Sequence, residues 1–426
     1  MAIESRNPAT AELVERFEPM TDASIEAALE KADCTFQHFR GTSVRSRAIC
    51  LSNAAEILET EVDRWAEVLT SEMGKTLTEA IAEVRKSALG CRYYADHAES
   101  LLADERLASN VTEDFVRHLP LGAVLAVMPW NFPFWQVFRF AAPALAAGNV
   151  CLLKHASNVP RSALAIESIL ERAGFPDGAF QTLLIGSAQV TGVLEDRRVR
   201  AATLTGSEGA GRAVAITAGG VLKSTVLELG GADPFIVMPS ADLDDAVKAA
   251  VTGRTINNGQ SCIAAKRFIV HAEIYDDFAE RFVETFAGLM VGDPMLSNTD
   301  IGPLAMAEVR NEIDQQVNRS MALGASRLIG ASPVSGRGYF YQPGVLAQIP
   351  ESAPAYDEEV FGPVATLFRV SSLDAAIELG NATRFGLGST IFSKDQKEID
   401  RAIGDLDAGA TFINQIVVSD PSRPFG

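Results

Sequence analysis

Ala123-Val124-Leu125-Ala126-Val127-Met128-Pro129-Trp130-Asn131-Phe132-Pro133 decides the fold. Its first six residues form an unbroken apolar run, the pattern of a strand buried on both faces of a parallel sheet. Two prolines then stop the strand and fix the backbone on either side of Asn131. Outward from this stretch, strand-like and helix-like runs alternate. Residues 133–147 read as helix, Val150-Cys151-Leu152-Leu153 as strand, 160–173 as helix opened by Pro160, 180–185 as strand and 188–195 as helix. Ala201 to Thr205 reads as strand, 208–218 as helix and Ser224 to Glu228 as strand. Such alternation predicts an α/β fold with a doubly wound sheet. A second series begins at Gly230-Gly231, with strands at 234–237, 267–271, 326–329 and 364–370. Its helices fall at 242–255, 273–290, 304–323, 373–381 and 395–405, and Gly330 to Gly344 reads as a surface loop. Toward the N-terminus, a turn at 7–10 and a short strand precede a helical stretch from Thr21 to about His97. Phe115-Val116-Arg117-His118 alternates like an edge strand. Two Rossmann-like lobes are expected.

The chain has 426 residues, 47% hydrophobic and 22% charged, enough for two or three domains with a sizeable core. Its net charge of −18 argues against nucleic acid or an anionic membrane as partner, because both demand a basic footprint. No 18-residue uncharged apolar run is present, and Met1 to Arg6 lacks a signal-peptide pattern, so a cytoplasmic protein is expected. Five cysteines without C-x-x-C spacing and five histidines without H-E-x-x-H spacing predict no bound metal and no disulfide framework.

Six short stretches carry possible chemistry. Asn257-Asn258-Gly259-Gln260-Ser261-Cys262 sets one thiol after a small polar turn and before the apolar run from Phe268. Read alone, Cys262 could be a nucleophile, a buried structural cysteine, a metal ligand or half of a disulfide. Thr205-Gly206-Ser207-Glu208-Gly209-Ala210-Gly211 could cradle a phosphate at a helix N-terminus, or be an ordinary strand–helix turn. Lys154 and Ser157 follow a buried strand, where ligands bind in open α/β sheets. Asn131 could donate to an oxyanion or merely cap a turn. Glu228 ends an apolar strand, where desolvation raises a carboxyl pKa toward the range of a general base. Asp357-Glu358-Glu359-Val360-Phe361-Gly362-Pro363 sets adjacent acids before an aromatic and a tight turn.

Together and in this order the stretches resemble the aldehyde dehydrogenase superfamily. The matches are PWNFP at 129–133, the lysine at 154, TGS at 205–207, ELGG at 228–231 and NNGQSC at 257–262. They continue with EEVFGP at 358–363, FIN at 412–414 and PFG at 424–426. The resemblance spans nearly the whole chain, from NPAT at 7–10 onward. It implies a cofactor-binding domain over 1–104 and 119–229, an oligomerisation hairpin over 105–118 and a catalytic domain over 230–426. It also implies that the Cys262 thiolate attacks an aldehyde, that Asn131 and the Cys262 N–H hold the oxyanion, and that Glu228 activates the hydrolytic water. Members that pass the acyl group to coenzyme A typically lack that glutamate. For a nicotinamide dinucleotide, the implied contacts are Trp130, Lys154, Ser157, Gly206, Ser207, Leu229, Glu359 and Phe361.

Departures from the family pattern refine the expectation. Strictly NAD-dependent members usually carry Glu three residues after the lysine, and here that position is Ser157. A hydroxyl can donate to a neighbouring 2′-phosphate where a carboxylate would repel it, so NADP is expected, with or without NAD. Arg139, eight residues past Asn131, and Ser419 match residues with which succinate semialdehyde dehydrogenases hold the distal carboxylate. The second arginine of that group, six before the cysteine, is replaced by Ile256, with Arg254 two positions away. Succinate semialdehyde is therefore the expected substrate. Glutarate semialdehyde or a general aliphatic aldehyde is the alternative, and a non-catalytic structural relative a distant one. Family members continue past PFG with a segment that completes an oligomer sheet with the 105–118 hairpin. A homodimer or dimer of dimers is expected of the full-length form, and an exposed edge strand without that segment.

Overall fold

The computed structural model describes residues 3–108 and 111–423. Two N-terminal strands, β1 (Ile3–Arg6) and β2 (Leu13–Phe17), pair antiparallel. The first was not legible as a strand because only four residues, half of them charged, form it. A helical layer follows: α1 (Asp22–Phe39), α2 (Val44–Thr60), α3 (Val62–Met73) and α4 (Leu77–Leu101). The hydroxyls of Thr21, Ser43 and Thr76 accept N–H bonds in the first turns of α1, α2 and α4. The third helix stops on Gly74, in the left-handed conformation that relieves a helix C-terminus. Strands β3 (Glu105–Arg106) and β4 (Phe115–Val116) then form an exposed antiparallel pair.

The first lobe is a five-stranded parallel sheet. Its strands are β5 (Ala123–Met128), β6 (Val150–His155), β7 (Phe180–Thr182), β8 (Val199–Thr205) and β9 (Ser224–Glu228), in the order β7-β6-β5-β8-β9. Helices α5 (Trp135–Ala146), α6 (Pro160–Arg172), α7 (Ser187–Glu195) and α8 (Glu208–Gly220) cross over between them. The chain runs outward one way from β5 through β6 and the other way through β8. That reversal opens a crevice beyond the carboxyl ends of β5 and β8.

The second lobe carries seven strands in the order β12-β15-β16-β11-β10-β17-β18, all parallel to their neighbours except β12. In chain order the elements are β10 (Pro234–Val237), α9 (Leu243–Thr255), β11 (Arg267–His271), α10 (Tyr275–Ala287) and α11 (Ala307–Ala322). There follow β12 (Ser326–Ile329), β13 (Ser332–Pro333), β14 (Tyr341–Gln342), β15 (Gly344–Ala347), α12 (Pro354–Asp357) and β16 (Val364–Val370). The described part ends with α13 (Leu373–Asn381), β17 (Ser389–Phe392), α14 (Gln396–Asp405) and β18 (Thr411–Ile413). The 330–344 stretch, expected as a loose surface loop, contains the β13–β14 pair and the fully buried Tyr341.

Apolar residues of the helical layer and the five-stranded sheet share one core, whereas each face of the larger sheet has its own. On one of those faces Phe235 stacks on Phe392 with centroids 5.0 Å apart, and Phe268 meets Phe282 at 4.9 Å. Among the described residues, no helix is long and apolar enough to cross a membrane.

Candidate active site

The turn from Ile256 to Gly259 carries Asn257, Asn258 and Gly259 at φ 58°, 56° and 74°, three successive left-handed residues. Asparagine tolerates that region better than most side chains. A Cβ on Gly259 would also lie 2.4 Å from the Gly362 backbone, so the site demands glycine. The turn is held from several directions. Asn258 Nδ2 donates to the carbonyls of Gly74 and Pro303, each at 3.0 Å, and its Oδ1 accepts from Gly302 N–H at 2.9 Å. The Asn257 N–H donates to the half-buried Glu79 carboxylate of α4, and its amide to Asn131 O at 2.7 Å and Gln260 O at 2.9 Å. Two buried cations pull in the remaining carbonyls. Arg254 takes those of Gly259 and Ala265, while Lys266 Nζ takes those of Ser261, Cys262 and Ala264. Arg254 is therefore a strut of this loop, fully buried and turned away from any substrate role.

Cys262 sits on this scaffold at the floor of a cleft of about 680 Å³. Burial pushes its thiol up to about 11, Lys266 and Arg139 pull it down, and Glu359 and Asp233 act against them. Asn131 is brought to it through a 3.1 Å bond from Nδ2 to Gln260 O. The Asn131 turn is itself pinned by His155, whose Nε2 donates to Pro133 O at 2.9 Å while Nδ1 accepts the Ala156 N–H. Burial lowers that histidine to about 4, so it is the neutral ring this pattern needs. Glu228, 8% exposed at the end of β9, is raised by burial and partly lowered by Arg139. Behind it, Gly231 packs so closely that an added Cβ would lie 2.5 Å from Cys262 O.

The cleft on one side of the thiol gathers Trp130, Gly206, Ser207, Leu229, Glu359 and Phe361 from both lobes. Trp130 meets Phe361 edge-on at 5.7 Å, giving apolar walls. Ser207 caps α8 by accepting the Ala210 N–H, and the helix N-terminus presents its first-turn N–H groups and positive dipole end. Apolar walls for a flat ring beside a helix N-terminus for a diphosphate are the donor set a nicotinamide dinucleotide requires. The Gly206 N–H is already engaged, donating to Glu228 O at 2.9 Å, so this backbone bond ties the end of β8 to the general-base candidate. Glu359 folds toward the thiol loop, accepting from Gly231 N–H at 3.1 Å with Lys266 Nζ at 3.3 Å. Arg384 bridges Glu208 of the first lobe and Asp357 of the second across the cleft. Lys154 and Ser157 do not line the cleft itself. Lys154 lies in register with Val127 one strand over, and the Ser157 carbonyl accepts the Glu4 N–H of β1.

On the other side of the thiol lies a cavity of about 160 Å³ walled by Glu228, Ile263, Phe412, Val418, Ser419 and Arg423. Arg139 of α5 lies close enough to Glu228 and Cys262 to feel both charges, and its Nη2 donates to Thr205 Oγ1 at 3.3 Å. Ser419 Oγ accepts from Lys86 Nζ of α4 at 2.7 Å. Neither Lys86 nor Lys266 was singled out from the sequence. Lys266 lies four residues past Cys262 and is within reach of a sequence reading, whereas Lys86 belongs to a helix that reads as scaffold. The PFG motif lies outside the described residues.

A profile of the aldehyde dehydrogenase family matches residues 1–426. The chain is 54% identical over 430 residues to succinate-semialdehyde dehydrogenase (NADP+) 1 of Mycobacterium ulcerans, covering 100% of this chain and 94% of that protein. Succinic semialdehyde dehydrogenase from Streptococcus pyogenes, solved with NADP+ as the cofactor, superposes with a TM-score of 0.98 at 37% identity, covering 100% and 94% of the two chains. Succinate-semialdehyde dehydrogenase from Burkholderia pseudomallei superposes with a TM-score of 0.96 at 33% identity, covering 100% and 89%.

Proposed function

The chain belongs to the aldehyde dehydrogenase family, and from that premise we propose that it oxidises succinate semialdehyde to succinate with NADP as hydride acceptor. One observation carries the reading. Cys262 stands between a cleft suited to a dinucleotide and a separate cavity, with Glu228, Asn131 and Arg139 converging on it. The aldehyde enters from the cavity side. The Cys262 thiolate forms the C–S bond, and the carbonyl electron pair moves onto oxygen. Asn131 Nδ2 and the Cys262 N–H donate to that oxyanion, and both are held in place before the substrate arrives. The bound dinucleotide supplies the acceptor for the hydride that leaves carbon, and a thioester remains on Cys262. Glu228 takes a proton from water, the hydroxide adds to the thioester, and the C–S bond breaks to release succinate and the thiolate. Burial keeps Glu228 basic enough for this, while Arg139 keeps it ionised.

Lys154 and Ser157, at the end of β6, are the groups we assign to the adenosine ribose and its 2′-phosphate. The name of the Mycobacterium ulcerans relative and the NADP+ of the Streptococcus pyogenes structure support that assignment. Arg139 and Ser419 are assigned to the distal carboxylate. The exposed apolar side chains of Leu107, Val111, Phe115, Leu119 and Leu121 around the β3–β4 pair support self-association through that edge. The decisive measurement is kcat/KM on succinate semialdehyde, glutarate semialdehyde and butanal with NADP and with NAD. Preference for butanal, or for NAD by more than tenfold, would overturn the reading.

A further inference from the structure

We propose that Lys86 is a specificity-determining residue, whose ammonium binds the distal carboxylate of the aldehyde together with Arg139 and Ser419. The inference rests on the carboxylated substrate proposed above. Lys86 projects from α4, in the helical layer that otherwise serves as scaffold. Its Nζ donates to Ser419 Oγ at 2.7 Å and lies 4.6 Å from the centroid of the Trp135 ring. Ser419 in turn walls the cavity beside Cys262. A half-buried ammonium bonded to a neutral hydroxyl and set against an aromatic face is a cation with its countercharge still to come.

The surrounding charges agree. The groups acting on Lys86 are Arg139 from α5, Glu83 from its own helix and Asp420 from the segment after β18. Glu83 is committed elsewhere, paired with the buried Lys75 and accepting the N–H groups of Phe134 at 2.8 Å and Trp135 at 3.0 Å. Asp420 accepts from Ser422 at both its N–H and hydroxyl and lies in the field of Arg423. Burial and Arg139 bring Lys86 down to about 8. Lys86 and Arg139 lie near enough to repel each other when no anion separates them, and a carboxylate placed between them removes that repulsion. Anion binding and protonation of Lys86 therefore reinforce each other. Below pH 8 the ammonium is present and carboxylate recognition is complete. As pH rises through 8 the ammonium is lost, and the preference for a carboxylated aldehyde falls with it.

The test compares wild type, Lys86→Met and Lys86→Arg on succinate semialdehyde and on butanal, its uncharged four-carbon counterpart, at pH 7.0 and 9.5. NADP binding is measured alongside to verify the fold. In wild type, the ratio of kcat/KM for the two aldehydes is expected to fall several-fold between the two pH values. Lys86→Met should lower that ratio at least tenfold at pH 7.0, mainly through KM for succinate semialdehyde, and leave it independent of pH. Lys86→Arg should keep the ratio high at both pH values. An equal loss on both aldehydes in Lys86→Met marks a structural role and overturns the proposal, as does an unchanged ratio. A wild-type ratio near one rejects the substrate class itself, and the role of Lys86 falls with it.

Discussion

The loop that carries the thiol and the segment that walls the neighbouring cavity are built by opposite rules. From Arg254 to Lys266, side chains from the turn after β5, from α9 and from the loop itself take hold of the carbonyls of Gly259, Gln260, Ser261, Cys262, Ala264 and Ala265. From Asn414 to Arg423 there is no helix or strand, and few side-chain bonds tie the segment to the rest of the chain. Asn414 exchanges bonds with Ser393, Thr390 donates to the Gln415 carbonyl, and Lys86 reaches Ser419. A nucleophile misplaced by about 1 Å can lose roughly 10²-fold in rate, so its support is redundant. A substrate wall has only to favour one aldehyde over another, and a few well-placed charges do that.

Changes in the thiol loop should accordingly damage turnover on every aldehyde, and changes in the wall should alter only selectivity. The largest effect belongs to Cys262→Ala, expected to cut turnover by about 10⁴-fold or more on charged and uncharged aldehydes alike. NADP titration by fluorescence should show the dinucleotide still binding, and surviving turnover would place the nucleophile elsewhere. Next is the ionisation of the thiol. With its pKa up to about 11, the thiolate fraction of the cofactor-free enzyme rises nearly tenfold per pH unit. The rate of Cys262 alkylation by iodoacetamide should therefore climb by about 10³-fold from pH 7 to pH 10. A plateau reached below pH 8 would mean that Lys266 and Arg139 outweigh burial. Gly231→Ala comes third. Its Cβ must displace the Cys262 carbonyl, so kcat should fall by about 10²-fold equally on both kinds of aldehyde. A selective loss would show that the displacement is transmitted to the wall instead. The smallest is Arg139→Leu, expected to lower kcat/KM for succinate semialdehyde by about 30-fold relative to butanal. An unchanged ratio would confine Arg139 to tuning Glu228 and Cys262.

The same contrast explains what could be read in advance. Cys262, Asn131 and Glu228 each end a local pattern, an apolar strand or a polar turn, so contiguous sequence betrays them. The doubly wound order of the first lobe was legible for the same reason, since its central strands β5 and β6 open on unbroken apolar runs. In the second lobe Gly344–Ala347, Ser389–Phe392 and Thr411–Ile413 were not recognised as strands. They are three or four residues long, and pairing with neighbours rather than their own periodicity makes them strands. Lys86 and Glu79 were illegible for a further reason. Lys86 meets Ser419 across 333 positions and Glu79 meets Asn257 across 178, so nothing near either residue announces its role. Arg254 was near enough to invite a substrate role, and only its burial among carbonyls assigns it to the scaffold.

The left-handed run Asn257-Asn258-Gly259 also bears on how this chain can diversify. In a saturation library, these three positions should accept only a narrow alphabet, glycine alone at 259 and little beyond asparagine, aspartate or glycine before it. Such a filter acts on backbone angle rather than on reactivity. New aldehyde preferences would then accumulate around Ser419 while the NNG spelling persists, leaving a signature of ancestry that outlasts any particular substrate.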